Sequence, residues 1–125
     1  MDENAISKLI IGAAIEVHRQ LGPGLLESAY EQCLAHELRL REVPFERQKA
    51  VPIAYKGLQL NCGFRLDILV DDLVIVELKA VGEFAPVHEA QLMTYLKLTK
   101  CKLGLLLNFN SLRLRNGIKR IALNL

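Results

Sequence analysis

Eight residues, 73–80 (LVIVELKA), constrain the fold more than any other stretch. The apolar run Leu73, Val74, Ile75, Val76 predicts a central strand buried on both faces. Glu77 and Lys79 interrupt it two residues apart, so a strand points both to the same face. A carboxylate on a buried face is costly unless a cation or hydrogen bonds compensate it.

The preceding stretch, 63–70 (GFRLDILV), has the same design: Phe64, Leu66, Ile68 and Val70 on one face, Arg65, Asp67 and Leu69 on the other. Register decides whether the two polar faces meet. A two-residue turn at Asp71-Asp72 would put Asp67 and Glu77 on opposite faces. A three-residue connection, Asp71 to Leu73, pairs Val70 with Val74 and Asp67 with Glu77, with Arg65 across from Lys79. It also makes Phe64, Leu66, Ile68, Val70, Val74, Val76, Leu78 and Ala80 one wholly apolar face, which favours that register. Opposed carboxylates repel unless something positive lies between them. A hard divalent cation, Mg²⁺ or Mn²⁺, takes oxygen ligands and suits the pair, with Lys79 placed to orient or deprotonate a water. A structural network of Asp67, Glu77, Arg65 and Lys79 is the alternative, and these residues alone leave it open.

Around this pair the chain reads as alternating periodicities. Ile6, Leu9, Ile10, Ala13, Val17 and Leu21 predict an amphipathic helix over 5–21, broken by Gly22-Pro23-Gly24. A second helix is expected from Leu26 to Glu42, with Leu26, Tyr30, Cys33, Leu34 and Leu38 inward. Residues 45–60 look extended, and Pro52 suggests an edge position. Pro86 opens a third helix to about Thr99, and 102–108 (KLGLLLN) is a buried strand. Asn116-Gly117 within 112–123 predicts a type I′ hairpin, with Leu112 and Leu114 inward. The order implies an α/β (α+β) fold: a mixed sheet flanked by helices, two of them N-terminal.

At 125 residues, 51% hydrophobic and 24% charged, the chain is expected to form one globular domain, 1–125, without disulfides or a structural metal. Cys33, Cys62 and Cys101 form no CxxC pair and fit a reducing cytoplasm. The acidic start MDEN predicts no signal peptide, and no span reads as apolar enough for a membrane. The net charge of +2 hides an asymmetry: residues 1–89 carry nine basic and fourteen acidic groups, and residues 90–125 carry seven basic groups and no acid. Such a basic tail marks either a phosphate-binding surface or a solvated face. Arg113, Arg115, Lys119 and Arg120 are the candidate phosphate contacts. With no Trp, three Tyr and four Phe, reading of single strands by stacking platforms is unsupported.

Asp67 followed by Glu77-Leu78-Lys79 on adjacent strands, after a helical lead-in, resembles the PD-(D/E)XK nuclease superfamily. Gly24-Leu25-Leu26-Glu27-Ser28-Ala29-Tyr30 is similar to the GxxExxY signature of one small branch, and Gln91-Leu92-Met93-Thr94-Tyr95 to the QxxxY helix of RecB-type nucleases. The resemblance spans roughly residues 5–123; Leu66 stands where the superfamily's name has proline. It implies a restriction-endonuclease-like core and a Mg²⁺-dependent nuclease acting on DNA, alone or as a small subunit of a homo-oligomer or larger complex. A non-catalytic nucleic-acid or protein-interaction module that keeps the fold is the alternative.

By that resemblance Asp67 and Glu77 ligate the metal with the Leu78 carbonyl, and Lys79 is the catalytic lysine. Glu27 reaches the metal directly or through water; on a stripe with Leu34 and Leu38 it is expected to face inward, unless it only complements the helix dipole. Gln91 and Tyr95, i and i+4 in line with Val87 and Leu98, help position the DNA strand, or else form a core-edge pair. His18 is a possible further ligand or a hydrogen-bonded boundary histidine, and His88 a structural first-turn residue.

Overall fold

The computed structural model describes residues 1–125. Helix α1 (Glu3–Leu21) starts where Asp2 accepts a hydrogen bond from the Ala5 amide at 2.8 Å, an N-cap that satisfies an orphan donor. It stops at Gly22, whose φ of 70° few side chains tolerate. Helix α2 is Glu27–Leu40, and β1 (Phe45–Tyr55), β2 (Leu58–Val70) and β3 (Val74–Lys79) follow. Helix α3 (Pro86–Thr99) crosses back to β4 (Leu103–Asn108); a 3₁₀ turn (Leu114–Gly117) leads to β5 (Ile118–Ala122). The five strands lie in sequence order in one sheet, antiparallel except for the β3–β4 pair. Three helices on a mixed sheet make this an α+β fold consistent with a restriction-endonuclease-like core. No helix is long and apolar enough to cross a membrane.

The sheet has two covered faces. Ile68, Val70, Val74, Val76, Leu78, Leu103, Leu105 and Leu107 pack on Ile10, Val17, Tyr30, Leu34 and Leu38 of α1 and α2. Leu66, Leu69, Ile75 and Leu106 pack on Leu92 and Leu96 of α3. The β2–β3 register is the one the facial pattern favoured: Val70 pairs with Val74 and Ile68 with Val76, through the loop Asp71–Leu73. Pro52 lies on β1, an edge strand, at a bulge where its missing N–H is harmless.

Five expectations are corrected. Residues 112–123 are not a hairpin: β5 pairs with β4, and Asn116-Gly117 closes a 3₁₀ turn. The glycine serves close approach, since a Cβ there would lie 2.3 Å from Ser111 Oγ and 2.7 Å from the Asn108 carbonyl. Leu114 enters the core, whereas Leu112, expected inward, is 89% exposed. The true tight hairpin is at Lys56-Gly57, with φ of 45° and 89°, so β2 begins at Leu58 rather than 63. Leu26, Val87 and Leu98 are exposed, which leaves α2 and α3 with narrower buried stripes than expected. Phe64 and Leu66 join the α3 side and not the face of Ile68; the change of side falls at Asp67, whose amide bonds the Glu77 side chain.

Candidate active site

The carboxylates of Asp67 and Glu77 meet between β2 and β3. Glu77 Oε2 accepts the Asp67 amide at 3.2 Å, and Asp67 Oδ2 accepts the Leu78 amide at 2.9 Å. Each acid thus spends an oxygen on the other strand's backbone, which fixes both rotamers. Glu77 is 4% exposed and Asp67 half-buried. Burial, and then the Asp67 carboxylate beside it, push the Glu77 carboxyl up to about 9, and Lys79 only partly offsets this. At neutral pH Glu77 is therefore protonated and hydrogen-bonded to Asp67.

Helix α3 supplies the roof. Tyr95 stacks on Phe64 with ring centroids 4.3 Å apart. Burial, with the charges of Glu77 and Asp67, raises its hydroxyl above the usual phenol range, so it stays a donor; the nearby Gln91 amide partly offsets this. Lys79, half-buried at the end of β3, pairs with Asn108 of β4. Its carbonyl accepts the Phe109 amide at 2.9 Å.

The structure therefore brings Asp67, Glu77, Lys79, Gln91 and Tyr95 to one side of the sheet. Glu27 is not among them. It is solvent-exposed in the first turn of α2, not inward as expected, because that turn follows the exposed Leu25-Leu26 and precedes the buried stripe starting at Tyr30. No three His, Cys, Asp or Glu side chains gather closely enough to form a metal-ligand group. His18 is buried, and its Nε2–H donates to the Ser111 carbonyl at 2.8 Å, since a carbonyl can only accept. That nitrogen is engaged in tying α1 to the chain after β4. His88 Nδ1 accepts the Ala85 amide and caps α3.

The Gly24-to-Tyr30 segment has a structural logic of its own. Tyr30 is fully buried, stacks on Phe109 at 4.6 Å, donates to the Gly22 carbonyl at 2.6 Å and accepts the Leu25 amide at 3.1 Å. It staples the Gly22–Leu25 loop to the core. Arg113 and Arg115 are exposed, Lys119 is paired with Glu89, and Arg120 donates to Asn4.

Sequence reasoning missed two polar groups here. Buried Asn108 holds the chain leaving β3: its amide accepts from Val81 N–H at 3.1 Å and donates to Val81 O at 2.9 Å. A polar residue ending an otherwise apolar strand run was the available signal. Buried Glu31, bonded to Arg47 and Gln48, gave none, since its partners lie sixteen and seventeen residues away.

No curated protein and no solved structure matches this chain. The model of the PD-(D/E)XK nuclease superfamily matches residues 4–121, nearly the full length and including both strands of the acidic pair. With the mixed sheet and the cross-strand carboxylates, that match establishes that the chain belongs to the PD-(D/E)XK nuclease superfamily.

Proposed function

We propose that the protein is a divalent-metal-dependent nuclease that hydrolyses DNA phosphodiester bonds, in the GxxExxY branch and with RecB-type features. The observation that carries this is the Asp67–Glu77 pair, two carboxyls held together by strand register beside Lys79 at a partly buried position.

The residues fit a metal by their donor chemistry. Mg²⁺ keeps several waters and is commonly bound by one or two carboxylates plus substrate phosphate, so two acids suffice. A carboxyl that burial and a neighbouring anion hold protonated has its balance inverted by a divalent charge. Asp67 and Glu77, with the Leu78 carbonyl, would hold Mg²⁺ or Mn²⁺, and Glu27 would join through water. The ion supplies Lewis acidity at the phosphate and a more acidic bound water. Lys79 orients that water and neutralises charge growing on the phosphate oxygens. Tyr95 and Gln91 donate hydrogen bonds that position the strand. Arg113, Arg115, Lys119 and Arg120 contact phosphates away from the scissile bond. His18 remains with Ser111. The domain works in the cytoplasm, as a homo-oligomer or with a protein partner that adds target recognition.

Incubation with plasmid and single-stranded DNA in Mg²⁺, Mn²⁺ or EDTA tests this. Metal-dependent cleavage that falls roughly 10²–10³-fold or more in Asp67→Ala and Lys79→Ala is expected. Equal cleavage by the variants overturns the reading. One observation favours the non-catalytic alternative: the acids gather as two and not three. Salt-dependent DNA binding with no cleavage under any metal would establish that second reading.

A further inference from the structure

Glu31 is a buried acid that the proposed mechanism does not use. It lies on α2 and reaches the edge strand β1. Its Oε2 accepts Arg47 Nε at 3.1 Å and Nη2 at 2.9 Å, and its Oε1 accepts Gln48 Nε2 at 2.8 Å. Consecutive residues of a regular strand point to opposite faces, so Arg47 and Gln48 should not share a partner. They do because Gln48 has φ 50°, a left-handed conformation that is rare without glycine.

The position of that irregularity is informative. Arg47 pairs with Ile68 and Lys49 with Leu66, which sets Gln48 across from Asp67. At the same level β2 changes sides: Ile68 packs under α1 and α2, whereas Leu66, two residues earlier, packs under α3. The Gln48 carbonyl also accepts Arg65 Nη1 at 3.4 Å, which turns Arg65 toward β1. Strained backbone persists only where surroundings hold it, and it concentrates at functional sites. Here the surroundings include one buried carboxylate, and the strained residue lies across from a proposed metal ligand.

We infer that Glu31, acting through Arg47 and Gln48, is a positioning residue: it holds β1 in the bend that aims Asp67 at the Leu78 amide and at Glu77. It touches neither substrate nor metal. The importance of Asp67's aim rests on the nuclease reading; the mechanical link does not.

Amide hydrogen exchange separates the two. The Leu78 amide donates to Asp67 Oδ2, so its exchange rate reports the Asp67 side chain without metal or DNA. In Glu31→Ala the Leu78 amide should exchange at least ~10-fold faster while Leu105 on β4 stays protected, and Glu31→Gln, which keeps the shape and one acceptor, should recover part of the loss. Exposed Gln48 gives a second test that cannot fail through a lost core. Gln48→Val and Gln48→Gly both remove the amide that Glu31 holds, but only glycine accepts φ 50° freely. Valine should speed Leu78 exchange and weaken Mn²⁺ binding about 10-fold; glycine should leave both near wild type. Unchanged Leu78 exchange in Glu31→Ala and Gln48→Val, or equal acceleration at Leu105, would overturn the inference. Variants that show the exchange pattern, beside a wild-type protein that binds no Mn²⁺, would uphold the positioning link and sink the nuclease reading alone.

Discussion

Strands β3 and β4 are neighbours of equal length, parallel, and paired residue for residue from Val74↔Leu103 to Lys79↔Asn108. Both are interior strands of the sheet and both are buried, yet their sequences differ in kind. VIVELK places Glu77 where LGLLLN places Leu106. Leu106 joins the apolar cluster under α3 at no electrostatic cost. Glu77, at the paired position, has its carboxyl pushed up to about 9. One strand spends its burial on the core, and the other sacrifices part of it to hold two acids together. Beyond the acceptor that Glu77 gives the Asp67 amide, the fold gains nothing from that sacrifice, which is why it points to chemistry.

The sharpest way to break the comparison is to make β3 resemble β4. Glu77→Leu should remove metal-dependent cleavage, a loss of at least ~10³-fold, because one of the two carboxylates proposed to ligate the metal directly is gone. The same change should raise stability at pH 8 by roughly 1–3 kcal/mol, since folding at that pH requires the Glu77 carboxyl to take up a proton and leucine does not. The gain is limited by the Asp67 amide, which loses its acceptor. Urea denaturation beside the plasmid assay reads both. A variant less stable than wild type at pH 8 would mean the acid serves the fold.

Titration sharpens the same point without mutation. The Glu77 carboxyl rises from 4.5 to about 9 on folding, so between those values the folded chain binds a proton that the unfolded chain has released. Its contribution is complete below pH 4.5 and is lost as pH rises toward 9. The expected slope is roughly 1 kcal/mol per pH unit, or about 4 °C in Tm. Glu77→Gln should flatten the slope. Mn²⁺ should flatten it too, by favouring the ionised carboxyl. A melting temperature that rises from pH 6 to 9 would contradict the burial argument.

How much of this was visible beforehand follows from the range of the forces involved. The β2–β3 register was legible because an alternation of period two leaves only one register with a clean apolar face, and Val70↔Val74 is that register. The pairing of Asp67 with Glu77 came with it. The Asn116-Gly117 signal misled because glycine is needed there for the approach of Ser111 and not for a hairpin, a tertiary demand that no local pattern records. The bend at Gln48 was invisible for the same reason: a glutamine carries no mark of φ 50°, and the acid that holds it sits on another element. Phe64 and Leu66, near that level of the sheet, pack on the side of α3 that strict alternation did not predict.

Glu27 is where local pattern and tertiary setting disagree most directly, and it carries the smallest expected effect. Its spacing from Leu34 and Leu38 put it on an inward stripe, but α2 begins at Glu27, and the buried positions start one turn later at Tyr30 and Glu31. An exposed acid that reaches a metal through water lends field more than coordination, and solvent screens that field. Glu27→Gln should therefore lower cleavage only about 3–10-fold, mostly through a weaker apparent Mg²⁺ affinity, and excess Mg²⁺ should restore most of the rate. Its stability should shift by less than about 1 kcal/mol, the usual worth of an acid in an exposed first helical turn. A loss as large as that of Asp67→Ala, not restored by Mg²⁺, would show that α2 moves in on substrate binding and that Glu27 becomes a direct ligand; no loss at all would confine the site to the β2–β3 pair and the α3 roof.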